Sequence, residues 1–131
     1  MLCTKIYISD TKKPMTIEST SGISESQHNA ILDKIGKDYI YLEYTVGDIS
    51  LSVEFNKEKS AFIGWVDEYN DDISYFDNGS QNIYSVDLII NACPQERMMC
   101  YSLKDIKVII MHFCKTGEKH PSFKWISDAD V

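Results

Sequence analysis

The 131 residues contain no C-x-x-C pair, no apolar run long enough to cross a bilayer, and no basic opening segment followed by a long apolar stretch. The first absence argues against a structural zinc module with paired ligands on turns. The second argues against a spanning helix. The third gives the expectation of a cytosolic protein with reduced thiols. Basic residues are also in short supply, 13 against 20 acids, for a net charge of −7. Nucleic acid and anionic membranes need basic surface, so neither is expected as a direct partner, and a basic protein partner is. No G-x-S-x-G, H-E-x-x-H, P-loop or Rossmann fingerprint occurs, and Asp67-Glu68-Tyr69-Asn70-Asp71 lacks the ligand alternation of an EF-hand loop.

What is present suits one domain over residues 1–131. Apolar types make up 44% and charged types 25%, a globular balance too apolar for disorder. The four cysteines (Cys3, Cys93, Cys100 and Cys114) are irregularly spaced. A zinc site would draw on Cys93, Cys100, His112, Cys114 and His120. Apolar surroundings favour buried free thiols instead, so neither a metal nor any other cofactor is expected. His28, His112 and His120 each fit structural or surface roles better than general-base roles, and the protein is not expected to be an enzyme.

Periodicity predicts α+β: a curved antiparallel β-sheet of about six strands with two helices packed on one face. Leu2 to Ile8 reads as a strand and residues 9–22 as a polar loop, with a short extended piece at Met15 to Ile17. Ser24 and Gln27 make a capping box for a helix carrying Ile31, Leu32 and Ile35, with Gly36 at its end. Strands follow at 39–46, 49–55, 61–69, 73–76, 83–90 around the Pro94 loop, and 98–101. Ser102 caps a second helix, Ile106, Ile109, Ile110 and Phe113 form its stripe, and Gly117 ends it. Phe123 to Ile126 is a last strand or a packed tail, with Trp125 packing back onto the domain. Asn78-Gly79-Ser80 fits a glycosylation sequon but reads as a turn.

Charge is unevenly placed. Residues 60–103 hold seven acids against Arg97 alone and carry −6 of the total −7. Asp67, Glu68, Asp71, Asp72 and Asp77 lie among Trp65, Tyr69, Tyr75 and Phe76. Aromatic anchors ringed by charge suit a protein-binding surface, with Tyr69 and Tyr75 as anchors.

The stretch Ile110-Met111-His112-Phe113-Cys114-Lys115-Thr116-Gly117-Glu118-Lys119-His120-Pro121, followed by Trp125, resembles the C-terminal signature of a bacterial immunity-protein family. That signature is an amphipathic helix running into a T-G-E-[KR]-P-like turn and then a tryptophan; here His120 stands between Lys119 and Pro121. Trp65 and Ile73-Ser74-Tyr75-Phe76-Asp77-Asn78-Gly79 look like the family's strand pairs, so the likeness spans roughly residues 60–126. It implies a protein that binds and neutralises a cognate toxin domain of a polymorphic or contact-dependent inhibition system, often a nuclease or a deaminase. It supplies no catalytic residues. Charge points to a basic toxin domain, a nuclease first, bound through Asp67, Glu68, Tyr69, Asp71, Asp72, Tyr75 and Asp77. A small adaptor or secretion chaperone, and a small enzyme, are the other classes.

Overall fold

Alternating side chains build the sheet of this computed structural model, which describes residues 1–10, 12–90 and 92–131. The strands are β1 (Lys5–Asp10), β2 (Pro14–Glu18), β3 (Tyr39–Val46), β4 (Ile49–Phe55), β5 (Ala61–Asp67), β6 (Asp72–Asp77), β7 (Met99–Cys100) and β8 (Lys124–Ser127). They form one open antiparallel sheet in the order β2-β1-β3-β4-β5-β6-β8, with β7 paired to the start of β5. Register lines up the inward residues in rows across the strands. Ile6, Tyr44, Leu51 and Trp65 make one row; Ile8, Leu42, Val53 and Ile63 make the next. A slip of one residue would turn each strand's apolar set to the opposite face, so these rows pin the pairing.

The helices α1 (Glu25–Leu32) and α2 (Leu103–Thr116) close the core. The capping box at Ser24 and Gln27 forms as expected, and Ile31, Leu32 and Ile35 are buried. In α2, Ser102 accepts from the Asp105 amide at 3.2 Å, and Gly117 ends the helix at φ +75°. Its Ile106, Ile109, Ile110, Phe113 and Cys114 join the inward strand residues in one cluster. No helix among the described residues is long and apolar enough to cross a membrane.

The α+β architecture agrees with the expectation, with eight strands in place of about six. One strand comes from the segment read as a polar loop: the short extended piece expected at Met15 to Ile17 is the middle of β2, which pairs as a hairpin with β1, itself shifted to Lys5–Asp10. Thr11 of that loop, and Asn91 of the Pro94 loop, lie outside the described residues. The α1 helix stops before Gly36 because the Lys34 carbonyl takes the amides of Asp38 and Tyr39, turning the chain straight into β3. The 61–69 strand ends at Asp67, and the 98–101 strand shrinks to Met99–Cys100. Phe123 to Ile126 is a strand in its main part, pairing Trp125 with Phe76.

Residues 83–90 form no strand; a lone bridge between Ser85 and Gln95 is their only ladder contact among the described residues. Their composition suits a strand, but the edge of β5 beside them is already filled. β6 and β7 occupy successive lengths of β5, and β8 takes the outer edge of β6. The segment therefore bridges the sheet with Ile83 and Tyr84 largely exposed.

Candidate functional site

The sharp connection between β5 and β6 concentrates the acids. Asp67 and Asp72 are the last pair of the ladder, and Asp71 adopts φ 52°, a left-handed conformation that aspartate tolerates better than most residues. Asp67 is occupied within the turn: its carboxylate accepts from the Asn70 amide at 3.2 Å and from Asn70 Nδ2 at 2.8 Å. The Asn70 side chain is the main cause that holds the Asp67 carboxyl below its ordinary range. Glu68, Asp71 and Asp72 are exposed to solvent, Asp67 is half-buried, and Tyr69 is 83% exposed at the tip.

Two further acids join this end from distant parts of the chain. The Glu68 amide donates to the carbonyl of Asp48, in the β3–β4 turn, at 3.3 Å. Asp128, just past β8, lines a shallow groove with Asp71 and Asp72. Neither stood out in the sequence, because adjacency across a sheet leaves no local spacing to read.

Tyr75 and Asp77 serve other purposes. The Tyr75 ring stacks on Phe62 with centroids 5.3 Å apart, and its hydroxyl donates to Asp128 Oδ1 at 2.8 Å. Burial first, and the Asp128 bond second, push this phenol up to about 12. Asp77 lies at the opposite end of β6, roughly 17 Å of strand away from Asp72. There its Oδ1 accepts from the Gly79 amide at 2.8 Å. The seven expected residues are thus one exposed group (Glu68, Tyr69, Asp71, Asp72), a turn brace (Asp67), a half-buried stack (Tyr75) and a separate turn (Asp77).

Glu96, another acid of the same sequence cluster, is buried. Its carboxylate accepts from Ser80 Oγ, Tyr101 Oη, Asn82 Nδ2 and Asn78 Nδ2. These bonds, Ser80's first, hold it below its ordinary range. Asn78 also donates to the Glu96 and Met99 carbonyls, so the sequon asparagine braces the loop as a turn residue.

The signature turn works as a clamp between α2 and the sheet. Trp65 Nε1 donates to the Gly117 carbonyl, and Lys119 Nζ sits 4.7 Å from the Trp65 ring while donating to Ser74 Oγ at 3.1 Å. Trp125 Nε1 donates to the His120 carbonyl at 3.1 Å, and its ring meets Phe76 edge-on. Both tryptophans are therefore engaged within the domain.

The residues named for zinc in the sequence do not come together. Cys93 is exposed, and Cys100 is buried with its thiol pushed up to about 11, mainly by desolvation. His112 and His120 meet at a tilt of 51°, ring centroids 4.6 Å apart. Among the described residues, the one group of three or more side chains with metal-ligand geometry is Cys3, His28 and Cys114. The Cys114 thiol, next to Cys3, is the main cause that lowers the Cys3 thiol below its ordinary range. Two of these three residues, Cys3 and His28, lay outside the expected set because they approach only through the fold. Comparison of the chain with family models, curated proteins and solved structures found no match.

Proposed function

We propose that this protein is a cytosolic immunity protein that binds a basic toxin domain, a nuclease first, and neutralises it. The contact surface is the β5–β6 end of the sheet: Tyr69 as anchor, Glu68, Asp71 and Asp72 as its charged rim, and Asp48 and Asp128 beside them. The observation that carries this reading is Tyr69, 83% exposed in a turn that also exposes Glu68, Asp71 and Asp72. A large aromatic left in water gains by burial in a partner's pocket, and exposed charge of one sign selects a partner of the other. Nucleases hold phosphates in basic clefts, which an acidic projection can occupy in place of substrate. The likeness of residues 110–125 to the immunity signature supplies the class of partner. The proposed role is non-catalytic inhibition.

The test is co-expression with the toxin domain encoded beside this chain. Wild-type protein should protect the cell, and its association rate should fall steeply with salt. A variant carrying Glu68→Gln, Asp71→Asn and Asp72→Asn should bind more slowly and protect less, with its fold intact. Asparagine is chosen at position 71 because lysine there would add strain at positive φ. Equal protection together with a salt-indifferent association rate would remove the acidic end from the interface. Failure of the wild type to bind the toxin domain would remove the immunity role. A deaminase partner would keep the role and correct the toxin class.

A further inference from the structure

Three residues far apart in the chain meet inside the core. Cys3 precedes β1, His28 lies in α1, and Cys114 is near the end of α2. Their sulfur and imidazole nitrogen atoms lie within 4.8 Å of one another, and all three side chains are shut off from solvent. The backbone holds this meeting in place. The amides of Leu2 and Cys3 both donate to the Cys114 carbonyl, at 2.9 and 3.2 Å, so the first segment is tied to the helix at the cluster itself. His28 Nδ1 stands 3.7 Å from Cys114 Sγ.

Two buried polar atoms in this neighbourhood have no hydrogen-bond partner: His28 Nε2 and the Tyr44 hydroxyl. The Tyr44 ring centroid is 6.2 Å from that of His28, and its hydroxyl is buried beside it. Natural cores rarely leave polar atoms orphaned, and a pair of them at the two-thiol cluster around His28 calls for an occupant.

We propose that Cys3, His28 and Cys114 bind one zinc ion through two thiolates and an imidazole, with the Tyr44 hydroxyl at the fourth position. The donor set is soft, and two sulfurs with one nitrogen suit a thiophilic d¹⁰ ion. Charge selects among such ions. Two thiolates neutralise Zn²⁺, so the ion enters an apolar core with no net charge, whereas Cu⁺ would leave an excess negative charge buried. Binding releases the two thiol protons to solvent. The ion is structural: it joins the segment before β1, α1 and α2, and its binding free energy becomes folding free energy. This site runs against the expectation of plain buried thiols, and it stands independently of the partner surface.

The experiment uses the full chain purified under reducing conditions. Native mass spectrometry should count one zinc per chain, and chelation should lower Tm. Replacing zinc with Co²⁺ should produce thiolate-to-cobalt charge-transfer absorption. Cys3→Ser, Cys114→Ser and His28→Ala should lose that band, and Cys100→Ser, buried elsewhere, should keep it. Tyr44→Phe should keep the ion and weaken binding by about 10–100-fold. If the ligand variants fail to fold, the metal count and cobalt spectrum of the wild type decide alone. Absence of zinc from the isolated protein together with no thermal shift on adding Zn²⁺ would overturn the proposal. So would a band that survives in the Cys114→Ser variant, preferential binding of Cu⁺, or a Cys3–Cys114 disulfide in place of the metal.

Discussion

The indole nitrogen of Trp65 donates to the carbonyl of Gly117 at 3.1 Å, joining the middle of β5 to the end of α2 across 52 residues of sequence. Gly117 sits at φ +75°, and a Cβ there would come within 3.1 Å of Val46. The glycine thus serves both the left-handed helix end and the close approach of helix to sheet. Replacing Trp65 with phenylalanine keeps the apolar body and deletes the donor, leaving a buried carbonyl short of a partner. Urea unfolding should show a loss of about 1–3 kcal/mol. An unchanged midpoint would mean that the bond contributes nothing net.

Core truncations test the register. Leu51 and Ile109 are almost wholly buried, one on the sheet and one on α2. Changing either to alanine should cost about 2–5 kcal/mol by opening a cavity that the surrounding rows cannot fill. Losses at both sites within the surface range, about 0.5 kcal/mol, would contradict the packing described.

Tyr69 should behave differently from its acidic neighbours at the partner surface. As an anchor it acts after docking, so Tyr69→Ala should speed dissociation from the toxin domain while leaving association and its salt dependence nearly unchanged. Neutralising Asp71 and Asp72 should do the reverse. Because Tyr69 is exposed, its loss should leave unfolding unaffected within about 0.5 kcal/mol. Stopped-flow binding at two salt concentrations separates the two effects.

Glu96 makes the stability of the 78–82 loop depend on pH. Its folded carboxyl is held below the ordinary value of 4.5 by the bonds from Ser80, Tyr101, Asn82 and Asn78. A lowered folded value means that the unfolded chain binds the proton more readily. The contribution is therefore fully present above the ordinary value and is lost as pH falls through the lower folded one. Glu96→Gln should remove that part of the acid dependence. Hydrogen exchange at Ser80 and Asn82, followed on acidification in both forms, reports it at the loop itself.

Much of the architecture was legible in local pattern. Ser102 and Gly117 bracket α2, and its apolar residues recur at helical spacing, so local signals and tertiary packing agree there. The strict alternation of Ile49 to Phe55 named the inward face of β4, although Ile49 at the strand's end is only half-buried. Residues 83–90 misled because strand propensity records what a chain can do, while pairing depends on which strand lies beside it, and here β6 and β7 already fill β5. The segment at 9–22 gave a weaker signal: β2 is a five-residue edge strand in which only Met15 and Ile17 alternate inward, enough to mark an extended piece but not its pairing with β1.

The candidate sites divide in the same way. Composition along the chain determined that residues 60–103 carry the negative charge and that the β5–β6 turn would be acidic, since turn formation and charge are both local properties. Only the fold decided which acids stay together. It set Asp77 at the far end of β6, turned Glu96 inward onto four donors, and brought Asp48 and Asp128 in from other turns. It alone brought Cys3, His28 and Cys114 within reach of one another. Spacing in sequence cannot carry such meetings, because they depend on which strand edges and helix faces are left for each segment once the others have packed.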